Sequence, residues 1–95
     1  MPAYVIVDVI ITDQALYETY KPLAFASVTA SGGKFIARGG KSENLEGDWQ
    51  PERIVILEFP DFDTAKSWWN SEQYALPKSI RQAASISRMI VVEGV

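Results

Sequence analysis

The chain has 95 residues, with nine basic and 12 acidic side chains and a formal net charge of −3, a length that predicts one domain over residues 1–95. At 47% apolar residues it is too hydrophobic for disorder, and its scattered lysines and arginines make no basic stripe for nucleic acid. It has no Cys and no His, which removes disulfides, thiolate nucleophiles, the commonest catalytic base and the usual zinc ligands.

Residues 3–11 (Ala-Tyr-Val-Ile-Val-Asp-Val-Ile-Ile) are apolar in both alternation phases, the pattern of a strand covered on both faces. Thr12-Asp13 supplies an N-cap signal, and Leu16, Tyr20, Leu23, Ser27 and Val28 fall at helical spacing within residues 14–31. Pro22 inside that run predicts a kink or two abutting pieces, and Gly32-Gly33 ends it. Residues 34–38 read as a second strand closed by Gly39-Gly40. The polar stretch 41–52 is a long connection with room for a short strand near Ser42–Leu45.

Arg53–Phe59 is the third strand, again apolar on both faces. Pro60-Asp61 stops it and caps a helix from Phe62 to about Asn70. Ser71 caps a further helical stretch to Ala84, with a break expected at Pro77, and Ser87–Glu93 is the fourth strand. The order β-α-β-β-α-β predicts an α+β, ferredoxin-like fold: a four-stranded antiparallel sheet with its helices on one face. The other face would be bare and apolar, so a homodimer through that open sheet face is expected.

The stretches Arg38-Gly39-Gly40, Leu45-Glu46-Gly47-Asp48-Trp49, Arg53-Ile54-Val55-Ile56-Leu57-Glu58-Phe59-Pro60, Ser71-Glu72-Gln73-Tyr74 and Arg81 occur in this order, together with Tyr4, Tyr17 and Tyr20. In combination, and over nearly the whole chain, they resemble the bacterial domain-of-unknown-function 1330 family. One departure is Gln14 after Asp13, where the pattern has Pro. The resemblance implies the dimeric α+β barrel superfamily, which includes cofactor-independent monooxygenases, muconolactone isomerases and heme-degrading enzymes. The family has no established activity, so the resemblance implies a fold and transfers no reaction.

Asp8 and Glu58 interrupt apolar strand phases and are the candidate catalytic bases, expected near a pocket between sheet and helices. The commoner fate of a charge in a strand is structural: an ion pair with an arginine, or a place near a strand end in water. Arg38, Arg53 and Arg81 are candidates to hold an anionic ligand by bidentate contacts; their alternative is an ion pair with Glu58 or Glu46. Tyr17, Tyr20, Trp69 and Tyr74 are candidate aromatic walls, and helical geometry requires Trp68 and Trp69 to face different ways. Trp49, in a polar loop, is expected to cover the pocket or pack on a partner subunit.

Serines without His make no conventional triad, and Asp61 and Asp63 offer too few oxygens for calcium, so no metal and no cofactor are expected. No apolar run approaches a membrane span and the start lacks signal-peptide character, which predicts a cytoplasmic protein. Three functions remain open: a protein binding a small flat, anionic ligand between sheet and helices; a cofactor-independent monooxygenase- or isomerase-like enzyme; and a structural or interaction module.

Overall fold

The computed structural model describes residues 1–95. Strands β1 (Ala3–Ile11), β2 (Lys34–Arg38), β3 (Arg53–Phe59) and β4 (Ser85–Glu93) form one sheet in the order β2-β3-β1-β4, and all three pairings are antiparallel. Helix α1 (Gln14–Ala30) follows β1, and α2 (Phe62–Trp69) and α3 (Glu72–Ala84) lie between β3 and β4. This is the ferredoxin-like arrangement with its second helix in two pieces. No helix is long and apolar enough to cross a membrane.

Each helix starts where a short polar side chain satisfies a free amide. Asp13 accepts from the Leu16 amide (3.0 Å), Asp61 from the Thr64 amide (2.7 Å) and Ser71 from the Tyr74 amide (3.2 Å). Gly32, at φ 80°, turns the chain out of α1, a conformation that costs glycine little. The two-piece alternative at Pro22 and the break expected at Pro77 do not occur: both prolines sit inside single helices. A proline deletes one amide donor, but its fixed φ of about −65° is itself helical. The packing of Tyr17, Ala24, Ser27 and Val28 on either side of Pro22 holds α1 together. The stretch near Ser42–Leu45 forms no strand.

Parity along the strands divides the sheet into two unlike faces. Ala3, Val5, Val7 and Val9 of β1 and Val55, Leu57 and Phe59 of β3 are buried under the helices with Tyr17, Val28, Trp68 and Tyr74. The intervening residues Tyr4, Ile6 and Asp8, with Ile54, Ile56 and Glu58 opposite them, form the open face. On β4 that face carries Ile86 (64% exposed), Ile90 (61%) and Val92. Both phases of these strands are apolar, as expected, but the chain's own helices cover only one of them.

Candidate functional site

Asp8 and Glu58 do share a face, but it is the open one. Register sets Glu58 opposite Tyr4 and Asp8 opposite Ile54, four residues apart along β1 and so separated by ~13 Å. Helices cover the opposite parity, which corrects the expectation that the pair lies near a pocket between sheet and helices. Each carboxylate is already engaged. Glu58 meets Lys34 at 3.1 Å and accepts from the Tyr4 hydroxyl at 3.3 Å. Asp8 accepts from Arg88 at 2.6 Å and from the Trp49 indole at 3.1 Å. The Arg88 hydrogen bond holds the Asp8 carboxyl below its ordinary value, against a smaller upward push from burial. Trp49 therefore lies across the open face, away from the helices.

On the helix side the arginines converge without carboxylates. Tyr74, Pro77, Arg81 and Ala84 form the buried stripe of α3, and Ser85, Ser87, Met89 and Val91 turn the same face of β4 toward the helices. Arg81, only 5% exposed, donates from Nε to the Tyr74 hydroxyl at 3.2 Å and from its terminal nitrogen to Ser87 Oγ. The Tyr74 and Tyr20 hydroxyls are 2.8 Å apart. Burial first, and then Tyr74, push the Tyr20 phenol far above its ordinary value, so it stays neutral. The three ion pairs of the chain are Lys21–Glu18, Lys34–Glu58 and Arg88–Asp8. None involves Arg38, Arg53 or Arg81.

Two hollows adjoin Arg81. The larger, about 740 Å³, opens between α2, α3 and β4, with apolar walls of Val5, Trp68, Met89 and Val91 and a rim that includes Lys66, Trp69 and Gln82. The smaller, about 30 Å³, lies beneath α1 among Tyr17, Tyr20, Arg38, Arg53 and Arg81. No Asp or Glu lines either one. The adjacent tryptophans separate as helical geometry requires. Trp68 is buried and donates from Nε1 to Ser27 Oγ at 3.1 Å, whereas Trp69 is 39% exposed with Lys78 Nζ 3.7 Å over its ring.

Of the residues singled out in the sequence, Arg38, Arg53, Arg81, Tyr17, Tyr20 and Tyr74 thus come together; Trp69 stands at the larger cleft; Asp8, Glu58 and Trp49 are on the other face. Sequence reasoning missed Lys66, Gln82, Ser85 and Ser87. Alternation along β4 put the two serines on the face opposite Ile86 and Arg88, but it held no signal for which of those faces the helices cover.

The sequence matches, over residues 2–95, the family described as Domain of unknown function (DUF1330). No curated protein matches it. The fold is similar to that of the RPA0582 protein of unknown function from Rhodopseudomonas palustris (TM-score 0.80, 20% identity, covering 99% of this chain and 82% of that one). It is also similar to SnoaB, a cofactor-independent oxygenase from Streptomyces nogalater (0.71, 14%, 99% and 93%), and to Rv0793 from Mycobacterium tuberculosis (0.58, 13%, 100% and 96%). At these identities the likeness is one of fold.

Proposed function

The chain belongs to the domain-of-unknown-function 1330 family, and within it we propose that this protein binds a small, flat, anionic molecule in the cleft between α2, α3 and β4. One observation carries this reading. Arg81 is a buried cation at the back of an apolar cleft, with a tyrosine and a serine as partners and no carboxylate. Burying an unpaired charge is costly, and a ligand carboxylate or phenolate removes that cost by a charge-assisted bond. A volume of about 740 Å³, with Trp68 and Trp69 among its lining residues, suits a ring-sized ligand.

A thermal-shift screen against aromatic acids and phenols tests it. A ligand at a hundred times its Kd adds about 2.7 kcal/mol, several degrees in a domain of this size. The shift should vanish in Arg81→Met and shrink in Arg81→Lys, which keeps the charge and loses the planar fork. A hit that survives in both variants would move the site elsewhere.

A turnover reading has one feature in its favour. Arg81 would stabilise the anion of a phenolic substrate, and SnoaB shows that this fold supports oxygen chemistry without a cofactor. In that reading the substrate ionises beside the arginine. Glu58 and Asp8 serve as bases only for a substrate lying on the open face. Oxygen uptake in the presence of a bound phenol is its signature, and none would leave the binding function standing alone.

The open face supports a homodimer. Ile6, Ile56, Ile90 and Val92 form an apolar surface, with Ile10 and Ile86 beyond the Asp8–Arg88 pair, larger than isolated exposed side chains would make, and the charges on that face are paired within the chain.

A further inference from the structure

The small cavity beneath α1 has a composition that the aromatic cleft does not explain. We propose that this cavity, walled by Lys21, Arg38, Arg53 and Arg81, is a binding site for a compact oxyanion, a carboxylate or phosphate group.

Its construction begins in β2. Lys34 pairs with Glu58 and Phe35 with Leu57, but Ala37, not Ile36, is set against Ile56. Ile36 is the extra residue of a β-bulge, and one extra residue reverses the parity of everything after it. Arg38, which regular pairing would set opposite Ile54 on the open face, is instead opposite Val55 on the helix face. Its guanidinium stacks 5.0 Å from the Phe35 ring. Arg53 shares that face two residues before Val55, so the two arginines are diagonal cross-strand neighbours at roughly 7–8 Å. Two like charges at that distance repel, and an anion between them reverses the sign of the interaction.

Arg53 is held with an unmet donor. Its guanidinium carbon lies 5.6 Å from the Tyr17 ring centre, and its Nε is buried with no hydrogen-bond partner. The backbone makes room for it at Gly39, whose φ is 69° and where any Cβ would run into the Arg53 guanidinium. Arg81 closes the far wall, and Lys21 lies at the α1 side. Glu18 is not among the walls; it is bound to Lys21 at 3.0 Å and Gln14 at 3.2 Å, and Arg53 adds only a minor pull on its carboxyl, without an ion pair. Four cations therefore surround a space of about 30 Å³ with no carboxylate among its walls. That space takes one or two waters, too little for a ring and enough for an acid group once the exposed Arg38 shifts outward.

The occupying oxyanion has two sources, a free ion or the second acid group of a molecule whose ring lies in the cleft, and titration calorimetry separates them. Inorganic phosphate, benzoate and isophthalate are titrated into the full chain and into Arg53→Met and Gly39→Ala. Phosphate is expected to bind the wild type at one per chain, about tenfold or more weaker in Arg53→Met, and weaker in Gly39→Ala. Arg53→Met should also have an unliganded midpoint equal to or above wild type, because it removes a repelled, unpartnered donor and keeps an apolar stem over Tyr17. An excess affinity of isophthalate over benzoate that is lost in Arg53→Met assigns the oxyanion to the cleft ligand. Equal affinities with phosphate binding assign it to a free ion. The proposal is overturned if no oxyanion binds, if Arg53→Met binds phosphate as wild type does, or if that variant is destabilised without ligand. Benzoate binding that needs Arg81, with no phosphate binding and no isophthalate excess, would keep the cleft reading while this one falls.

Discussion

The two faces of the sheet treat charge in opposite ways. On the open face every ionised side chain has a partner: Asp8 with Arg88, Glu58 with Lys34. On the helix side Arg38, Arg53 and Arg81 have no ion pair, although the burial of Arg81 makes an unpaired charge there expensive. A fold selected for stability alone would show the reverse. The contrast is what supports the proposed dimer on the open face and the proposed anion sites on the helix side.

Removing the aromatic floor should break this contrast most severely. Trp68 is 2% exposed, 4.1 Å from the Tyr74 ring centre and 5.3 Å from that of Phe59. Trp68→Ala should therefore cost about 3–5 kcal/mol, read as a fall of well over ten degrees in the melting midpoint. If the midpoint holds, the aromatic layer is not the core and the helix side is looser than its burial implies.

A charge on the open face probes the other side. Ile90→Asp should leave the circular dichroism spectrum intact while converting a dimer to monomers in sedimentation velocity, since an unpaired carboxylate in an apolar interface is left without solvent or partner. A sedimentation coefficient identical to wild type would mean that the open face is not the contact.

The smallest effect concerns the Asp8–Arg88 pair. Arg88's side chain is 77% exposed, so solvent screens the pair and its contribution is at most about 1 kcal/mol. Because Arg88 lowers the Asp8 carboxyl in the folded state, the stabilisation is fully present above the unfolded aspartate value and is lost as pH falls through the folded one. Asp8→Asn should melt a few degrees lower than wild type near neutral pH, and the gap should close in strong acid. A gap independent of pH would mean that the charge of Asp8 is not what stabilises the fold.

Much of the architecture was legible because it rests on local rules. Asp13, Asp61 and Ser71 cap helices by reaching amides three residues ahead, and Ala3–Ile11 and Arg53–Phe59 declare themselves by β-branched runs apolar in both phases. Gly32 ends α1 because its φ is positive. The failures were also physical. Pro22 and Pro77 look like breaks in one dimension, but a helix packed along its length tolerates one missing donor. Arg38 would be assigned to the wrong face by simple alternation, since a bulge leaves no mark in an otherwise ordinary Phe-Ile-Ala.

The sequence by itself determined the element order, the caps, the two-sided apolar strands and membership of the family. It also delimited the chemistry, because residue types that are absent cannot be recruited by folding. Only the tertiary structure decided which phase of each strand the helices would cover. That choice put Asp8 and Glu58 on the open face and Arg38, Arg53 and Arg81 on the helix side. Spacing along a chain fixes which residues share a face, but which face is buried depends on the side to which the helices cross over, and on a single inserted residue in β2.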